Sequence, residues 1–265
     1  MRMCSIASGS SGNCIYIGDE DTHILIDAGI SRKAIETGLK ELELSGNDLD
    51  GIFITHEHSD HVKGLGVMAR KYHIPMYGTK ETIEAVKTIS SLGNIGEELF
   101  YPVAAEEELQ LKTLTVKPFK VSHDGANPVA YRVESGEKKA AVATDLGIYN
   151  DYTIDHLKGL DAILLEANHD IRMLQTCRYP YSLKQRILGK YGHLCNEMSG
   201  RLLDAILSDK MKRVFLGHLS NENNYPDLAY ESVRVEVNMS QSEYKAEDFH
   251  ISVAKRDSIS ECFEF

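Results

Sequence analysis

The sequence predicts an α/β fold in which two β-sheets are flanked by helices. Short apolar runs typical of buried strands recur along the chain, helical patterns lie between them, and several runs end in residues that bind metals. The 265 residues have a hydrophobic content of 42% and no Pro/Ser-rich linker, so the chain can bury one large core. We therefore expect residues 1–265 to form a single domain.

The expected strands are short, and many are rich in β-branched residues. They cover residues 3–7, 15–17, 23–27, 51–55, 74–78, 114–122, 129–133, 139–144, 162–166, 214–217 and 250–255. The expected helices have apolar residues at helical spacing. They cover residues 31–42, 80–90, 182–191, 197–207 and a segment after residue 225. This mixture favours two sheets covered by helices.

The densest group of metal-binding side chains is the motif His56–His61, with the sequence His-Glu-His-Ser-Asp-His. It follows an apolar run at residues 51–54 that is typical of a buried strand. The first two histidines would point the same way, and a helix could begin with Ser59 as its N-cap, directing the last two residues elsewhere. Imidazole and carboxylate ligands suit zinc, and also manganese or iron. The alternative is a surface turn that happens to be rich in histidine and acid.

Four other expected strands end in a potential ligand or its support. These residues are Asp27, His123, Asp145 and His218. If the strand ends converge at one sheet edge, two metals can bind there. One metal is expected between His56, His58 and His123, the second between Asp60, His61 and His218, with Asp145 bridging both. Such a pair leaves positions for a shared hydroxide, a nucleophile near neutral pH. Asp27 is better placed to accept a hydrogen bond from a histidine ring, unless it is a plain turn residue.

The motif and the order of these later elements resemble the metallo-β-lactamase fold superfamily, whose signature is H-x-H-x-D-H, over nearly the whole chain. The resemblance implies a four-layer αβ/βα sandwich with a dinuclear metal site at the sheet edges. Lactonases, thioesterases, phosphodiesterases, nucleases and oxidoreductases share this scaffold, so the fold alone does not define the reaction.

Two further residues favour phosphodiester chemistry. Glu166 ends an expected strand, and His193 precedes an expected helix. A histidine held by a carboxylate can protonate a departing alkoxide while two metals stabilise the attacking hydroxide. The pair resembles the Glu of the H-E-A-T-like segment and the His of the H-S-T segment in ribonuclease Z and related nucleases. In this chain Leu194 and Cys195 stand where those enzymes have small hydroxyl residues. Taken singly, each residue could instead have a purely structural role.

The chain is also similar, from end to end, to the YycJ/WalJ (VicX) family of bacterial proteins. The similarity is carried by residues 5–13, 166–170 and 217–224. It implies an exonuclease that acts from the 5′ end of DNA and is linked to mismatch repair and cell-wall regulation. DNA would then be the substrate and a transient partner.

A basic and aromatic segment between residues 170 and 197 contains no acidic residue, although the chain has a net charge of −11. Its cations are Arg172, Arg178, Lys184, Arg186 and Lys190, interleaved with Tyr179, Tyr181 and Tyr191. The segment could hold phosphates and stack bases, with Arg178 and Lys184 as candidate contacts, or it could be an ordinary solvated helix face. The net charge argues against a protein that coats nucleic acid with a broadly basic surface.

A glycine-rich loop near the N-terminus could cradle a phosphate or simply form a tight turn. Its candidate substrate contacts are Ser8, Ser10, Ser11 and Asn13, and the polar cluster after residue 166 adds Asn168 and His169.

Five cysteines without a C-x-x-C pair indicate neither a disulfide framework nor a zinc ribbon. No run of about eighteen apolar residues indicates a membrane span or signal peptide, so we expect a cytoplasmic protein. The leading hypothesis is a metal-dependent DNA exonuclease in which Asp60 binds metal and His193 acts as general acid. The alternatives are a hydrolase of a small thioester, lactone or cyclic phosphodiester, and a regulatory protein that keeps its metals for stability.

Overall fold

The computed structural model describes all 265 residues and contains two seven-stranded sheets. The first sheet contains β1 (Arg2–Ala7), β2 (Cys14–Gly18), β3 (His23–Ile26), β4 (Gly51–Phe53), β5 (Met76–Gly78), β6 (Phe100–Pro102) and β14 (Phe263–Glu264). Its order is β14-β1-β2-β3-β4-β5-β6. Neighbouring strands are antiparallel from β14 to β3 and parallel from β3 to β6.

The second sheet contains β7 (Leu109–Leu111), β8 (Leu114–Lys120), β9 (Val129–Ser135), β10 (Lys138–Ala143), β11 (Ala162–Glu166), β12 (Arg213–Gly217) and β13 (His250–Val253). Its order is β13-β12-β11-β10-β9-β8-β7. Pairs from β7 to β10 are antiparallel, and pairs from β10 to β13 are parallel. Strands β8, β10, β11 and β12 therefore run in one direction, and their carboxyl ends lie at the same edge.

Nine helices complete the fold. They are α1 (Arg32–Glu41), α2 (Ser59–Val62), α3 (Leu65–Tyr72), α4 (Lys80–Lys87), α5 (Asp151–Leu157), α6 (Ile171–Thr176), α7 (Tyr181–Leu188), α8 (Asn196–Ile206) and α9 (Pro226–Met239). Ser31, Thr79 and Asn150 cap α1, α4 and α5 by accepting a backbone N–H with their side-chain oxygens. No helix combines the length and the apolar character that crossing a membrane requires.

Three apolar clusters join the layers. The middle cluster has 20 buried residues from both sheets, among them Phe53, Tyr131 and Phe215. A second cluster packs the first sheet against α1, α3 and α4, and a third packs the other sheet against α5, α8 and α9. The layers therefore follow the order helix, sheet, sheet, helix, which confirms the predicted four-layer αβ/βα sandwich.

All expected strands and helices are present, with shifts of a few residues at their ends. Strands β6, β7 and β14 and helices α5 and α6 were not predicted, because such short elements carry too few apolar residues to show a period. The prediction that Ser59 caps a helix was wrong by one residue. His58 occupies the N-cap position in an extended conformation and makes no side-chain cap bond. The helix also ends after one turn at Val62, and α3 begins separately at Leu65.

Candidate metal centre

The predicted metal-binding residues follow the carboxyl ends of strands from both sheets. The motif His56–His61 comes after β4, whereas His123, Asp145 and His218 come after β8, β10 and β12. The last three strands run in the same direction, so their ends meet at one edge of the second sheet. The motif His56–His61 instead follows a strand of the first sheet. The expected convergence thus involves both sheets.

Three residues that follow strands have a left-handed backbone conformation, which residues other than glycine rarely adopt. The φ angles of Asp27, Asp145 and His218 are 62°, 60° and 55°. Such a conformation costs roughly 1–3 kcal/mol per residue and persists only where surrounding contacts hold it. It ends the strands before these residues, which is why the expected strand through residue 27 stops at Ile26.

The short helix α2 is positioned by main-chain contacts with the first sheet. The backbone N–H of Ala28 donates to the carbonyl oxygen of His61 at 2.9 Å, and that of Asn13 donates to Asp60 at 2.8 Å. Gly29 allows the close approach, because a Cβ at this position would lie 1.6 Å from the Asp60 carbonyl oxygen. The side chains of Asp60 and His61 are therefore held by backbone geometry.

Nitrogen atoms of His56, His58 and His123 form the first cluster, all within 4.8 Å of one another. His58 Nδ1 lies 3.3 Å from His123 Nε2. Because His123 Nδ1 donates to the carbonyl oxygen of Gly192 at 3.0 Å, its Nε2 keeps a free lone pair. His56 Nε2 is buried and has no hydrogen-bond partner.

Asp60, His61 and His218 form the second cluster, again within 4.8 Å. Asp60 Oδ2 lies 3.4 Å from His61 Nε2 and 3.3 Å from His218 Nε2. His61 donates through Nδ1 to Asp27 Oδ2 at 2.7 Å. Asp27 is held in turn by the backbone and hydroxyl of Thr55, each at 2.8 Å. This is the supporting contact that the sequence suggested for Asp27, and it turns the His61 lone pair toward the cluster.

Asp145 lies between the two clusters. Its Oδ1 is 3.5 Å from His123 Nε2, and its Oδ2 is 3.2 Å from His61 Nε2 without hydrogen-bond geometry. Both Asp145 Oδ2 and His56 Nε2 are thus buried polar atoms without a hydrogen bond, which is unusual in a folded protein. Convergent imidazole and carboxylate ligands explain them, since this set fits divalent metal ions.

Nearby carboxylates and burial shift the pKa values of the histidines in the site. Although burial opposes the shift, Asp145, Asp60 and Asp27 hold the pKa of His61 well above its usual value. Burial likewise opposes but does not prevent the rise of the His218 pKa to about 10, which Asp145, Asp60 and Glu166 cause. The pKa of His56 is well below normal because of burial and the neighbouring His61. The site therefore attracts positive charge, whether protons or metal ions.

Glu166 is a buried carboxylate that binds two histidines at once. Its Oε1 accepts from His193 Nδ1 at 2.9 Å, as the sequence suggested, and also from His218 Nδ1 at 2.8 Å. Its Oε2 accepts the backbone N–H groups of Leu146 and Leu194 at 2.9 and 3.0 Å. Against the effect of burial, the two histidines lower the pKa of Glu166 to about 2. The contact with His218 was not predicted, because nothing in the spacing links β11 to β12.

A cleft of 230 Å³ opens over the metal-binding residues. His193 lines it with a side chain that is 19% exposed. Its lining also includes Tyr179, Leu183, Arg186 and Ile187 from the α7 region. Residues from both clusters, His193 of the Glu166–His193 pair and the cation Arg186 therefore line one cleft.

The candidate contacts Arg178 and Lys184 do not line this cleft. Lys184 Nζ donates to the carbonyl oxygens of Gln175 and Cys177 at 2.7 and 2.8 Å, and Arg178 is exposed. Arg186 lines the cleft instead and forms an ion pair with Asp124. Helical periodicity explains the difference, since residues 183, 186 and 187 share the face toward the cleft. The sequence showed the basic segment but not which face of α7 meets the metal ligands.

Two residues of the glycine-rich loop contact metal-binding residues and do not line the cleft. Ser8 and Asn13 are buried. Ser8 Oγ accepts the backbone N–H of His218 at 2.9 Å, and Asn13 Nδ2 lies 3.2 Å from His61 Nε2. The structure does not place these two side chains where a substrate phosphate could contact them.

The other candidate substrate contacts lie in three different places. Ser10 and Asn168 line the cleft, and Asn168 Nδ2 also donates to the carbonyl oxygen of His218 at 2.8 Å. Ser11 lines a different cavity. His169 is buried outside the cleft in a β-bridge with Cys195, and burial lowers its pKa to about 4.

Residues 22–218 match a family model described as a beta-lactamase superfamily domain. The chain belongs to the beta-lactamase superfamily. Within this superfamily it is 42% identical over 228 residues to the exodeoxyribonuclease YycJ of Bacillus anthracis, covering 86% of each chain. It is 38% identical over 225 residues to the exodeoxyribonuclease WalJ of Streptococcus pneumoniae serotype 2, covering 85% of this chain and 84% of the relative. The predicted membership of the YycJ/WalJ family is confirmed.

Solved structures confirm the fold of this superfamily member. The metallo-beta-lactamase fold protein YhfI of Bacillus subtilis aligns with a TM-score of 0.69 and 15% identity over 98% of each chain. Human tRNase Z, short form, aligns with a TM-score of 0.63 and 16% identity, covering 98% of this chain and 99% of that one.

Proposed function

We propose that this chain is a metal-dependent exodeoxyribonuclease in which His193 is the general acid and residues 1–265 act as one domain. The names of its YycJ and WalJ relatives support DNA as the substrate. One observation carries the mechanism: Glu166 binds His193 beside both metal-ligand clusters, in a cleft that also contains Arg186. That combination suits the hydrolysis of a phosphodiester.

His56, His58 and His123 would hold one divalent ion, and Asp60, His61 and His218 would hold a second, with Asp145 between them. When bound, zinc, manganese or iron ions would activate water as the nucleophile and neutralise charge on the phosphate.

His193 supplies the proton that the leaving group requires. Its Nδ1 is committed to Glu166, which leaves Nε2 for the substrate. The Nε2 proton passes to the departing alkoxide oxygen, which forms the O–H bond as the P–O bond breaks. Glu166 keeps the ring in one orientation by accepting its Nδ1–H.

Arg186 and Tyr179 are the proposed substrate contacts from the basic segment. The Arg186 side chain is 54% exposed, so its guanidinium can reach a phosphate while it stays close to Asp124. Tyr179 lines the same cleft and offers a ring on which a base can stack. Ser10 and Asn168 supply further polar groups in the cleft.

The test is a time course with single- and double-stranded DNA, labelled at either end, in Mn²⁺ or Zn²⁺. Wild type should release nucleotides stepwise, and the label released first identifies the polarity. His193→Ala should keep its metal and lose roughly 100-fold or more in rate, because it lacks the general acid. Asp60→Ala should lose the metal of the second cluster and, with it, the activity.

His73→Asn is the matched control, since His73 is exposed, lies outside the cleft and has a left-handed φ of 53° that asparagine tolerates. It should behave as wild type. Metal-loaded wild type that leaves DNA intact but hydrolyses a thioester, lactone or cyclic phosphodiester would replace the proposal with a small-metabolite hydrolase.

A further inference from the structure

A second basic surface lies between α1, the turn after α2, and α3. We call it the α1–α3 groove; its volume is 700 Å³. Five of its eight lining residues are cations and none is acidic: Arg32, Lys33, Lys63, Arg70 and Lys71. In a chain of net charge −11, this concentration of positive charge indicates an anionic partner.

Protein carboxylates neutralise only part of this charge. Glu36 lies 2.7 Å from Lys71 and 3.7 Å from Arg32. Lys63 Nζ donates to the carbonyl oxygen of Ser11 at 3.3 Å, and neither Lys63 nor Lys33 forms a salt bridge. Two exposed ammonium groups are therefore free to bind an anion.

Adjacent residues of the glycine-rich loop connect the catalytic cleft to the groove. Ser10 lines the cleft, and Ser11 lines a cavity of 530 Å³ that shares Lys33 and Lys63 with the groove. The N-terminus of α1 points its partial positive charge to the same place, because Ser31 lines both cavities and the first turn has no acidic residue. A strand that leaves the metal centre across Ser10 and Ser11 therefore meets Lys63 and Lys33 next.

Two acidic residues restrict where phosphates can lie in the shared cavity. Glu41 and Asp257 contribute to its lining. Glu41 is the last residue of α1, about 15 Å along the helix axis from its beginning. Phosphates avoid carboxylates, so the end of α1 near Ser31 is more favourable than the end that carries Glu41.

We infer that the α1–α3 groove binds the phosphodiester backbone of the DNA strand beyond the nucleotide being cleaved, with Lys33 and Lys63 as phosphate contacts. The inference rests on the proposed function, since it assumes DNA in the cleft. Lysine contacts with phosphates do not distinguish one base from another. Binding of DNA in the groove is therefore independent of sequence, as a processive or stepwise exonuclease requires.

The first test compares Lys33→Gln/Lys63→Gln with the control Lys158→Gln/Lys212→Gln. The two control side chains are equally exposed, at 57% each, and lie outside both cavities. Binding of a long single-stranded oligonucleotide is measured by fluorescence anisotropy in the His193→Ala background at several salt concentrations. The groove variant should bind about 10-fold more weakly, and its slope of log Kd against log salt should fall by about 1.4 for two lost phosphate contacts. The control should match its parent in both quantities.

A second measurement uses bis(p-nitrophenyl) phosphate, a diester that has no DNA strand beyond the bond to be cleaved. The groove variant should keep the wild-type kcat/KM on this diester. Wild-type DNA affinity and salt slope in the groove variant would overturn the inference, as would an equal loss on the short diester, which would indicate a damaged metal centre. If wild type binds DNA through the groove but never cleaves it, the proposed function fails and the groove stands. If wild type degrades DNA and the groove variant binds it normally, the inference about the groove fails and the proposed function stands.

Discussion

At the residue scale, Glu166 couples the proposed general acid to a metal-binding residue. One carboxylate oxygen holds both His193 and His218, and the other holds two backbone N–H groups. A change at Glu166 should therefore affect proton transfer and metal binding together, whereas a change at His193 should affect only the rate.

Glu166→Gln tests this coupling with little change in side-chain shape. The variant should bind metal about 10- to 100-fold more weakly, as is typical when the supporting partner of a ligand is lost. At saturating metal its kcat should also be reduced, because the His193 imidazole loses its anionic partner. Metal titration and kcat are measured in parallel with His193→Ala as the comparison. Wild-type metal affinity in Glu166→Gln would contradict the double role.

At the element scale, α7 presents one of its faces to the cleft and another to solvent. Leu183, Arg186 and Ile187 line the cleft, whereas Lys184 holds the preceding turn through two carbonyl oxygens. The helix packs few buried residues, since none of its side chains is fully buried. Its cations can therefore be exchanged with little cost in stability, which makes kinetic tests on them informative.

Arg186→Gln should raise KM for DNA about 10-fold, the loss expected when a charge-assisted hydrogen bond of about 1.5 kcal/mol is removed. Arg178→Gln removes the same charge from an exposed position outside the cleft and should leave KM unchanged. Steady-state kinetics on oligonucleotides check both, and the metal content of Arg186→Gln is measured because its partner Asp124 lies 3.3 Å from His123 Nε2. Equal KM values for the two variants would exclude Arg186 as a phosphate contact.

At the scale of the whole molecule, the proposed metal ligands join the two sheets. The motif after β4 belongs to the first sheet, and His123, Asp145 and His218 follow strands of the second. A metal bound by both groups would hold together the sheets that the 20-residue middle cluster already packs face to face. Metal binding should therefore contribute to global stability and not only to the local order of the site.

Removal of metal by a chelator should lower Tm. A ligand at 100 times its Kd stabilises the native state by about 2.7 kcal/mol, which corresponds to about 5–10 °C in a chain of this size. Calorimetry before and after chelation, and again after metal is restored, measures the difference. In Asp60→Ala the difference should shrink, because one cluster lacks its carboxylate. An unchanged Tm in wild type would show that metal does not link the sheets.

The sequence by itself determined the fold class, the family and the candidate ligand set. These could be read because their signals are local: six consecutive residues contain four of the seven proposed ligands, two from each cluster, and His123, Asp145 and His218 directly follow recognisable apolar strands. Only the tertiary structure decided which side chains meet beyond those local segments. It put Arg186 and not Lys184 in the cleft, turned Ser8 and Asn13 inward, and joined Glu166 to His218, 52 residues away. The physical reason is that helix rotation, loop direction and contacts between strands are set by packing across the layers, which leaves no periodic trace in the chain.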